Sequence, residues 1–351
     1  MAASAGARGR LELSRGASGT GLTVGLLAGV LVLELVMIGS YVGALHEPRP
    51  REVPIAVVGP PAATAPVVAA LSRGDALDPR AVPDLAAATD AIENRDVYAA
   101  LVPGRSADRL LVASAASSSV ADVLPPALRQ LEPAGRELRV ADVKPLPADD
   151  ARGLSPFYLV VGWLVGGYLA ATILGLARGG VAGSRRLALA RLGALAAYAG
   201  VSGLLGALVV QELVGVLEGD TLALAAAGAL VVFATGAATA ALQSLLGVAG
   251  TALAILLFVA RGNPSSGGPL AGELLMPGPW SAIGPLLPPG AGTTLVRDIA
   301  YFGGADIAGA LLVLGAYALL GSVGVLALAR RVPAATHPAE AAASAGGALG
   351  A

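Results

Sequence analysis

Long apolar runs, separated by polar stretches, dominate the chain. A helix needs about 20 mostly apolar residues to cross the hydrocarbon core of a membrane. Five runs meet that length, at residues 21–45, 156–177, 192–214, 221–260 and 307–329. The fourth is too long for one crossing. It folds either as one steeply tilted helix or as two helices joined near Gln243, Ser244 and Gly247.

Arginine positions favour two crossings, because cytoplasmic loops of membrane proteins are rich in basic residues. Arginines precede the first run, follow the second and follow the last, at Arg8, Arg10 and Arg15, at Arg178, Arg185, Arg186 and Arg191, and at Arg330 and Arg331. All three groups are cytoplasmic only if the fourth run crosses twice, as 221–242 and 245–260. The sequence therefore predicts an α-helical polytopic plasma-membrane protein with six transmembrane helices and both termini cytoplasmic.

The first apolar run, 21–45, has the basic flank of a secretory signal peptide. The apolar region of a signal peptide has only ~7–15 residues, and this run is about twice as long. We therefore interpret it as an uncleaved signal anchor that follows a short cytoplasmic arm, 1–20. The five later helices form a membrane domain over 154–331, and the small-residue segment 332–351 is expected to be a disordered cytoplasmic tail.

Most of the charge lies between the first two helices. Residues 46–153 hold 27 of the 47 charged residues, and the topology makes this segment extracellular. Short apolar strands alternate there with helix-like stretches, which predicts an extracellular α/β domain with parallel strand pairing. Strands are expected at 53–59, 97–103, 109–115 and 137–147, and helices from about 62 to 73, at 84–96 and at 117–131. Pro125 and Pro126 predict a break or kink in the last helix.

The loop 261–306, before the final helix, contains seven prolines and ten glycines. Its apolar piece Trp280–Leu287 is too short to cross a membrane and suits an interfacial or re-entrant segment. A short helix is expected at Thr293–Tyr301, with Arg297 and Asp298 on its polar side. The alternative is a solvated connecting loop, but structureless loops of this length are uncommon in compact proteins. Trp280, Arg297 and Asp298 are therefore candidate functional residues of this loop.

Composition limits the available chemistry. The chain is 55% hydrophobic and 13% charged, with a mean hydropathy of +0.74 and a net charge of −1, so no basic surface is available for nucleic acid. It has no cysteine and only two histidines, which argues against a metal site and predicts no cofactor. Without a histidine partner, a group of serines is interpreted as helix-capping residues and not as nucleophiles: Ser114, Ser117, Ser118 and Ser119.

A few polar residues lie within or at the ends of the apolar runs. Glu34 is near the middle of the first helix, where a charge is costly, so it is a candidate for a substrate pathway or for a structural hydrogen bond to a neighbouring helix. Glu212 and Gln211, at the outer end of the third helix, either line a vestibule or are merely interfacial. Small residues at three- and four-residue spacing predict packing seams on the second helix (Gly162, Gly166, Gly167, Ala170) and the third (Gly193, Ala197, Gly200).

This architecture resembles the membrane proteins of ABC-2-type exporters, and in particular their phage-infection-protein-like bacterial branch. The resemblance covers most of the chain and depends on three places. DAIENRDVYAALVPG and LLVASAASSSVADVL, at 90–104 and 110–124, are similar to the external domain of that branch. GNPSSGG at 262–268 resembles the stretch outside its fifth helix, and PWSAIGPLLPPGAGTTLVRDIAYF at 279–302 is similar to the loop before its last helix.

The resemblance implies a permease subunit that moves an amphiphilic or hydrophobic substrate outward, as a homodimer or as a heterodimer with a related permease. It also implies an ATP-binding cassette subunit on a separate chain, because this chain has no phosphate-binding loop and its only lysine, Lys144, lies in the external segment. Arg178, Arg185, Arg186 and Arg191 would dock that subunit, or they serve topology alone. The arm 1–20 is short for the connecting helix that many such exporters have.

Two other functional classes are considered, and the first explains the short arm and the absence of an ATPase domain equally well. A non-transporting membrane scaffold or receptor would use the extracellular domain to bind an envelope ligand or a phage. An intramembrane enzyme would need paired intramembrane acids, a histidine-based metal site or a Ser–Lys pair. The sequence has none of these, so we expect no enzymatic activity.

Overall fold

The computed structural model describes residues 3–131, 137–178, 180–268 and 273–329. The predicted tail 332–351 lies outside the described residues, as do Arg330 and Arg331 and the side chains of Arg8, Arg10, Arg15 and Arg178. The chain divides into two compact units. One contains residues 1–158 and 255–310, and the other contains residues 159–254 and 311–351.

Within the described part of the chain, six helical segments are long and apolar enough to cross a membrane. They are Thr23–Leu45, Ser155–Ala177, Arg185–Leu213, Thr221–Leu246, Val248–Ser265 and Ala308–Leu328. The first belongs to a continuous helix α1, Ala3–Leu45, so the backbone of the predicted arm continues the apolar helix. This number agrees with the six apolar helices that the sequence predicts.

The first unit contains a five-stranded sheet with helices on the connections between its strands. The strands are β1 (Val53–Val58), β2 (Leu77–Val82), β3 (Ala99–Val102), β4 (Ala107–Val112) and β5 (Glu137–Asp142). Their order is β2-β1-β3-β4-β5, and only the β3–β4 pair is antiparallel. The parallel pairs confirm the α/β pattern that the alternation of strands and helices predicts.

Three helices accompany this sheet: α2 (Pro61–Leu71), α3 (Leu85–Glu93) and α4 (Ser118–Leu131). Val120, Leu124 and Leu128 of α4 lie at four-residue spacing and are buried in the core, together with the inner faces of the strands. Burial of each such side chain contributes ~1.5–3 kcal/mol, so the three together offset a cost of ~3 kcal/mol or more for each of the two interior prolines. The break predicted at Pro125 and Pro126 is therefore absent, and α4 continues through both prolines.

Strand β2 has no counterpart in the sequence analysis. Its residues LDPRAV contain a proline and two charges and lack a regular apolar alternation. β2 is an edge strand that pairs only with β1, and an edge position tolerates a proline because one side of the strand needs no ladder hydrogen bonds. Strand β2 is therefore recognised only from its pairing with β1 in the structure.

The predicted loop 261–306 is largely helical where the structure describes it. A π-helical stretch Leu256–Gly262 continues into α9 (Asn263–Ser265), and α10 (Gly278–Ile283) and α11 (Pro288–Phe302) follow. Pro288 and Pro289 begin α11 because proline fits the first helical positions, where no hydrogen bond is lost. Leu275, just before α10, is 1% exposed and belongs to the core of the α/β sheet. The ordered interpretation of this loop is confirmed for its described residues.

The second unit is built mainly from α5 (Ser155–Arg178, from Leu159 onward), α6 (Arg185–Leu208), α7 (Thr221–Leu246) and α12 (Ala308–Leu328, from Leu311 onward). A Cβ atom at Gly167 would lie 2.6 Å from the backbone oxygen of Val232, which confirms a close seam between α5 and α7. On α6 the close approach is made by Gly203, whose Cβ would lie 2.3 Å from the Ala225 oxygen. The predicted face with Gly193 and Gly200 makes no such approach, because a Cβ at either glycine would have nothing within 4 Å.

The fourth apolar run is divided at Gly247, between α7 and α8 (Val248–Ile255). Gly247 has a φ of 62°, a left-handed conformation that favours glycine. After this turn the chain passes back against α7, since a Cβ at Gly250 would lie 2.1 Å from the Leu242 oxygen. The helical hairpin predicted from the arginine distribution is thus confirmed.

Candidate functional site

The polar side of α11 meets the α/β domain through a buried ion pair. Arg95, in the turn after α3, donates from its Nη1 to Oδ1 of Asp298 at 2.7 Å. The Arg95 side chain is 6% exposed and that of Asp298 is fully buried. Arg95 has a φ of 63°, so its backbone takes a left-handed conformation that is uncommon for a residue with a side chain. This ion pair joins two segments that are 203 residues apart in sequence.

The surroundings of the Asp298 carboxylate are unfavourable for a negative charge. Burial raises its pKa to about 6, and the nearby Arg95 guanidinium opposes this rise only in part. Its second oxygen, Oδ2, has no hydrogen-bond partner among the described residues. The Asp298 carboxyl therefore holds its proton to a higher pH than an exposed aspartate does.

One turn further along α11, Tyr301 donates a short hydrogen bond to Oδ2 of Asp150. Oδ1 of Asp150 accepts from the backbone N–H groups of Leu154 and Ser155, so Asp150 caps the first turn of α5. Burial, together with the Asp150 carboxylate, raises the pKa of Tyr301 far above its ordinary value. The tyrosine therefore stays protonated and acts as a donor.

Phe302 completes this contact. The centroid of its ring lies 5.7 Å from the Arg95 guanidinium and 5.6 Å from the ammonium of Lys144. Both distances are within the range of a cation–π interaction. Three residues of α11, Asp298, Tyr301 and Phe302, thus fix this helix to the α/β domain and to the segment that leads into α5.

A polar cavity of about 370 Å³ lies beside Arg297 of α11. Its walls are the first turns of α4, the segment 151–154 before α5, and Gly267 and Gly268 after α9. The segment 151–154 is held in place because Ser118 donates to the Arg152 carbonyl at 3.0 Å and Arg297 donates to the Gly153 carbonyl at 3.4 Å. The charged residues of its lining are two arginines, Arg152 and Arg297, and one acid, Asp122.

The serines of this wall have structural partners. Ser117 accepts from the backbone N–H of Val120 at 3.3 Å, which confirms that it caps α4. Ser114 donates to the Asp142 carboxylate and accepts from the backbone N–H of Leu146. Both side chains thereby order the wall of the cavity.

Trp280 of α10 contacts the end of α1. Its Nε1 donates to Oγ of Ser40 at 3.1 Å, and the Arg261 guanidinium lies 4.7 Å from its ring centroid. Gly43 leaves room for the indole, since a Cβ there would lie 2.9 Å from a ring atom. Trp280 is thus a packing anchor between α10 and α1.

In the second unit, Arg191 is turned into the helix bundle. It is 3% exposed, and its guanidinium donates to the carbonyl of Gly180 at 3.0 Å and to Oε1 of Gln243 at 3.2 Å. The Gln243 amide in turn donates to Thr172 and Thr251. The expected docking role of Arg191 does not fit this burial, whereas Arg185 and Arg186, one turn earlier, are exposed.

The three pathway candidates belong to different units, Glu34 to the first and Gln211 and Glu212 to the second. Glu34 is exposed on α1 and has no hydrogen bond or ion pair to any described residue. Gln211 donates to the Gly219 carbonyl at 3.1 Å and closes the turn between α6 and α7. Glu212, beside it, is exposed.

Several residues of the α11 contact have no marker in the sequence. Arg95 is one of 22 arginines, and nothing in its neighbourhood distinguishes it. Asp150 carries a weak signal, because an acid shortly before an apolar run is typical of a helix cap. No group of three or more His, Asp or Glu side chains that could hold a metal ion lies within the described residues.

No family model matches the chain, and no curated protein or solved structure matches it.

Proposed function

We propose that this protein is the membrane permease subunit of an ABC-2-type exporter, which moves an amphiphilic or hydrophobic substrate outward and is energised by a separate ATPase subunit. One observation carries the proposal. Six apolar helices of crossing length are combined with a five-stranded α/β domain, which follows the first helix and precedes the second. The resemblance of 90–104, 110–124, 262–268 and 279–302 to the phage-infection-protein-like branch supports the same assignment.

In this proposal the six helices cross the plasma membrane, both termini are cytoplasmic and the α/β domain is extracellular. The ATPase subunit docks on the connection between α5 and α6, next to which Arg185 and Arg186 are exposed on the first turn of α6. Arg178 is the last residue of α5, at the other end of this connection. Arg191 has a different role, since its guanidinium fixes Gly180 and Gln243 inside the bundle.

The proposed permease acts as a homodimer or as a heterodimer with a related permease. Gly193, Ala197 and Gly200 form an exposed small-residue face on α6, which supports close approach of another helix. Glu34 is exposed near the middle of the apolar segment Thr23–Leu45 of α1, where a carboxylate in lipid is costly, so a pathway or partner surface is its expected environment. Glu212 and Gln211 remain candidates for the outer end of the pathway.

Affinity purification from the native host in mild detergent, followed by mass spectrometry, tests this proposal. We expect a stoichiometric ATPase that carries a phosphate-binding loop. The matched variants are Arg186→Ala and Arg105→Ala, which remove one exposed arginine at the proposed docking loop and one in the α/β domain. Loss of the ATPase with the first and not the second supports docking at this loop. A homo-oligomer without any ATPase contradicts the exporter.

A second function is a membrane receptor or scaffold whose external domain binds an envelope ligand or a phage. The polar cavity beside Arg297 favours it, because such a cavity suits ligand binding and needs no ATPase. Deletion of residues 46–153 would abolish ligand or phage binding in a receptor. Export that depends on Glu34 would instead support the permease.

A further inference from the structure

We propose that the polar cavity of the first unit binds a phosphate ester. The inference rests on the proposed insertion into a membrane, and not on the proposed ATPase. Its starting point is the cavity itself, about 370 Å³ in volume, which is near the lower end of the range for small-molecule sites. That volume suits a lipid headgroup or a small soluble phosphate ester.

The charged lining favours an anion. Arg152 and Arg297 contribute two positive charges and Asp122 one negative charge. Guanidinium groups match the oxygens of a phosphate group in geometry and charge. Serine hydroxyls from the first turns of α4 add neutral hydrogen-bonding groups to the same wall. A cationic ligand would be repelled by the net charge of this lining.

The walls are ordered before any ligand binds. The Ser118 and Arg297 hydrogen bonds hold the segment 151–154 from two sides, and Gly153 takes a left-handed conformation with a φ of 63°. The neighbouring Asp298 and Tyr301 fix α11, which carries Arg297. A prearranged site loses little conformational entropy on binding, which favours affinity.

The position of the cavity along the helices favours a headgroup. Leu154 directly precedes the crossing-length segment Ser155–Ala177, and Gly267 closely follows the segment Val248–Ser265. If these segments cross a bilayer, both lining residues lie at its polar boundary. A lipid phosphate and a soluble phosphate ester share the same chemistry here, so the experiment includes both.

Native mass spectrometry of the full-length protein in detergent measures binding of phosphatidylglycerol and, separately, of glycerol 3-phosphate. We expect Arg152→Gln to weaken binding about fivefold, the effect of one partly exposed charge. Arg297→Gln should weaken it at least as much. Asp122→Asn should strengthen binding, because it removes the only acid of the lining. Arg105→Gln, an exposed arginine outside the cavity, is the matched control.

The variants at Arg152 and Asp122 still test the proposal if Arg297→Gln misfolds, because both of these side chains are exposed. The tighter binding expected for Asp122→Asn also cannot result from a folding defect. The expected pattern with phosphatidylglycerol assigns the site to a lipid, and the same pattern with glycerol 3-phosphate assigns it to a soluble ester. Affinities of Arg152→Gln and Asp122→Asn within about twofold of the parent, for both ligands, would overturn the proposal. Absence of a co-purifying ATPase contradicts only the exporter and leaves this result valid.

Discussion

Asp298 and Arg95 form an ion pair in which both side chains are buried. Separation of such a pair leaves one charge buried alone, which typically costs 3–5 kcal/mol, although an apolar replacement of both partners is often neutral. Because Oδ2 of Asp298 has no hydrogen-bond partner among the described residues, the ionised carboxylate is the less well stabilised charge of this pair. Arg191 in the other unit is also buried, but its acceptors are the carbonyls of Gly180 and Ala171 and the side chain of Gln243.

The raised pKa of Asp298 predicts a specific pH dependence of stability. Its pKa rises from 3.8 to about 6 on folding, so the folded state binds this proton more tightly than the unfolded state. The stabilising contribution, ~3 kcal/mol, is fully present below about pH 4 and is lost as the pH rises through 6. We expect Asp298→Asn to flatten this part of the profile in a thermal unfolding series from pH 4 to 8.

The control for this series is Asp149→Asn, which changes an exposed acid of the same unit. It should retain the pH dependence of the parent. Equal profiles for the parent and Asp298→Asn would contradict the assignment of this titration to Asp298.

Substitutions of Arg191 and Arg186 are expected to distinguish a structural role from a role in docking the ATPase. Arg191→Ala leaves the buried Oε1 of Gln243 without its donor, at about 1–3 kcal/mol, whereas the Gly180 carbonyl keeps a donor in Ser244. It should lower the unfolding midpoint of the purified protein. Arg186→Ala changes an exposed side chain and should leave that midpoint unchanged, while it reduces recovery of the proposed ATPase. A stable Arg191→Ala protein would contradict the structural role.

At the scale of elements, the periodicity of apolar residues predicts helices and strands but not which elements pack against one another. The α6 sequence offers two small-residue faces, and the structure buries the one with Gly203 and exposes the one with Gly193 and Gly200. In the same way, Pro125 and Pro126 oppose a helix locally, but the apolar face of α4 packs on the sheet and outweighs them. Strand β2 depends on its pairing with β1 and has no clear local signal.

Two glycines on α6 test which face is the internal seam. Gly203→Ala should destabilise the second unit by ~1–3 kcal/mol, because its methyl group overlaps the backbone of α7. Gly200→Ala, one turn earlier, has open space and should not lower the unfolding midpoint. Thermal unfolding in detergent measures both. Equal midpoints for the two variants would contradict the assigned seam.

For the whole molecule, the crossing-length helices and the charge distribution together predict the topology. The parent chain has no cysteine, so single cysteines report position without background. We expect Arg105→Cys in the α/β domain to react with a membrane-impermeant maleimide in intact cells. Arg186→Cys should react only after the cells are permeabilised. Reaction of both, or the reverse order, would contradict cytoplasmic termini with an external α/β domain.

The sequence by itself determined the features that depend on local physics. The six crossing-length helices, the division of the fourth apolar run near Gly247 and the alternation of strands and helices follow from apolar length, the arginine distribution and residue periodicity, and all are present in the structure. Trp280, Arg297 and Asp298 are also recognisable as polar or aromatic residues of a loop before the last helix, although their contacts are not.

Only the tertiary structure decided which distant residues meet. The Arg95–Asp298 pair joins positions 203 residues apart, and the Tyr301–Asp150 hydrogen bond joins positions 151 residues apart. The cavity beside Arg297 combines three further segments. Such contacts depend on how the whole chain buries its apolar surface, and that energy is distributed over many residues. No short stretch of sequence therefore encodes them.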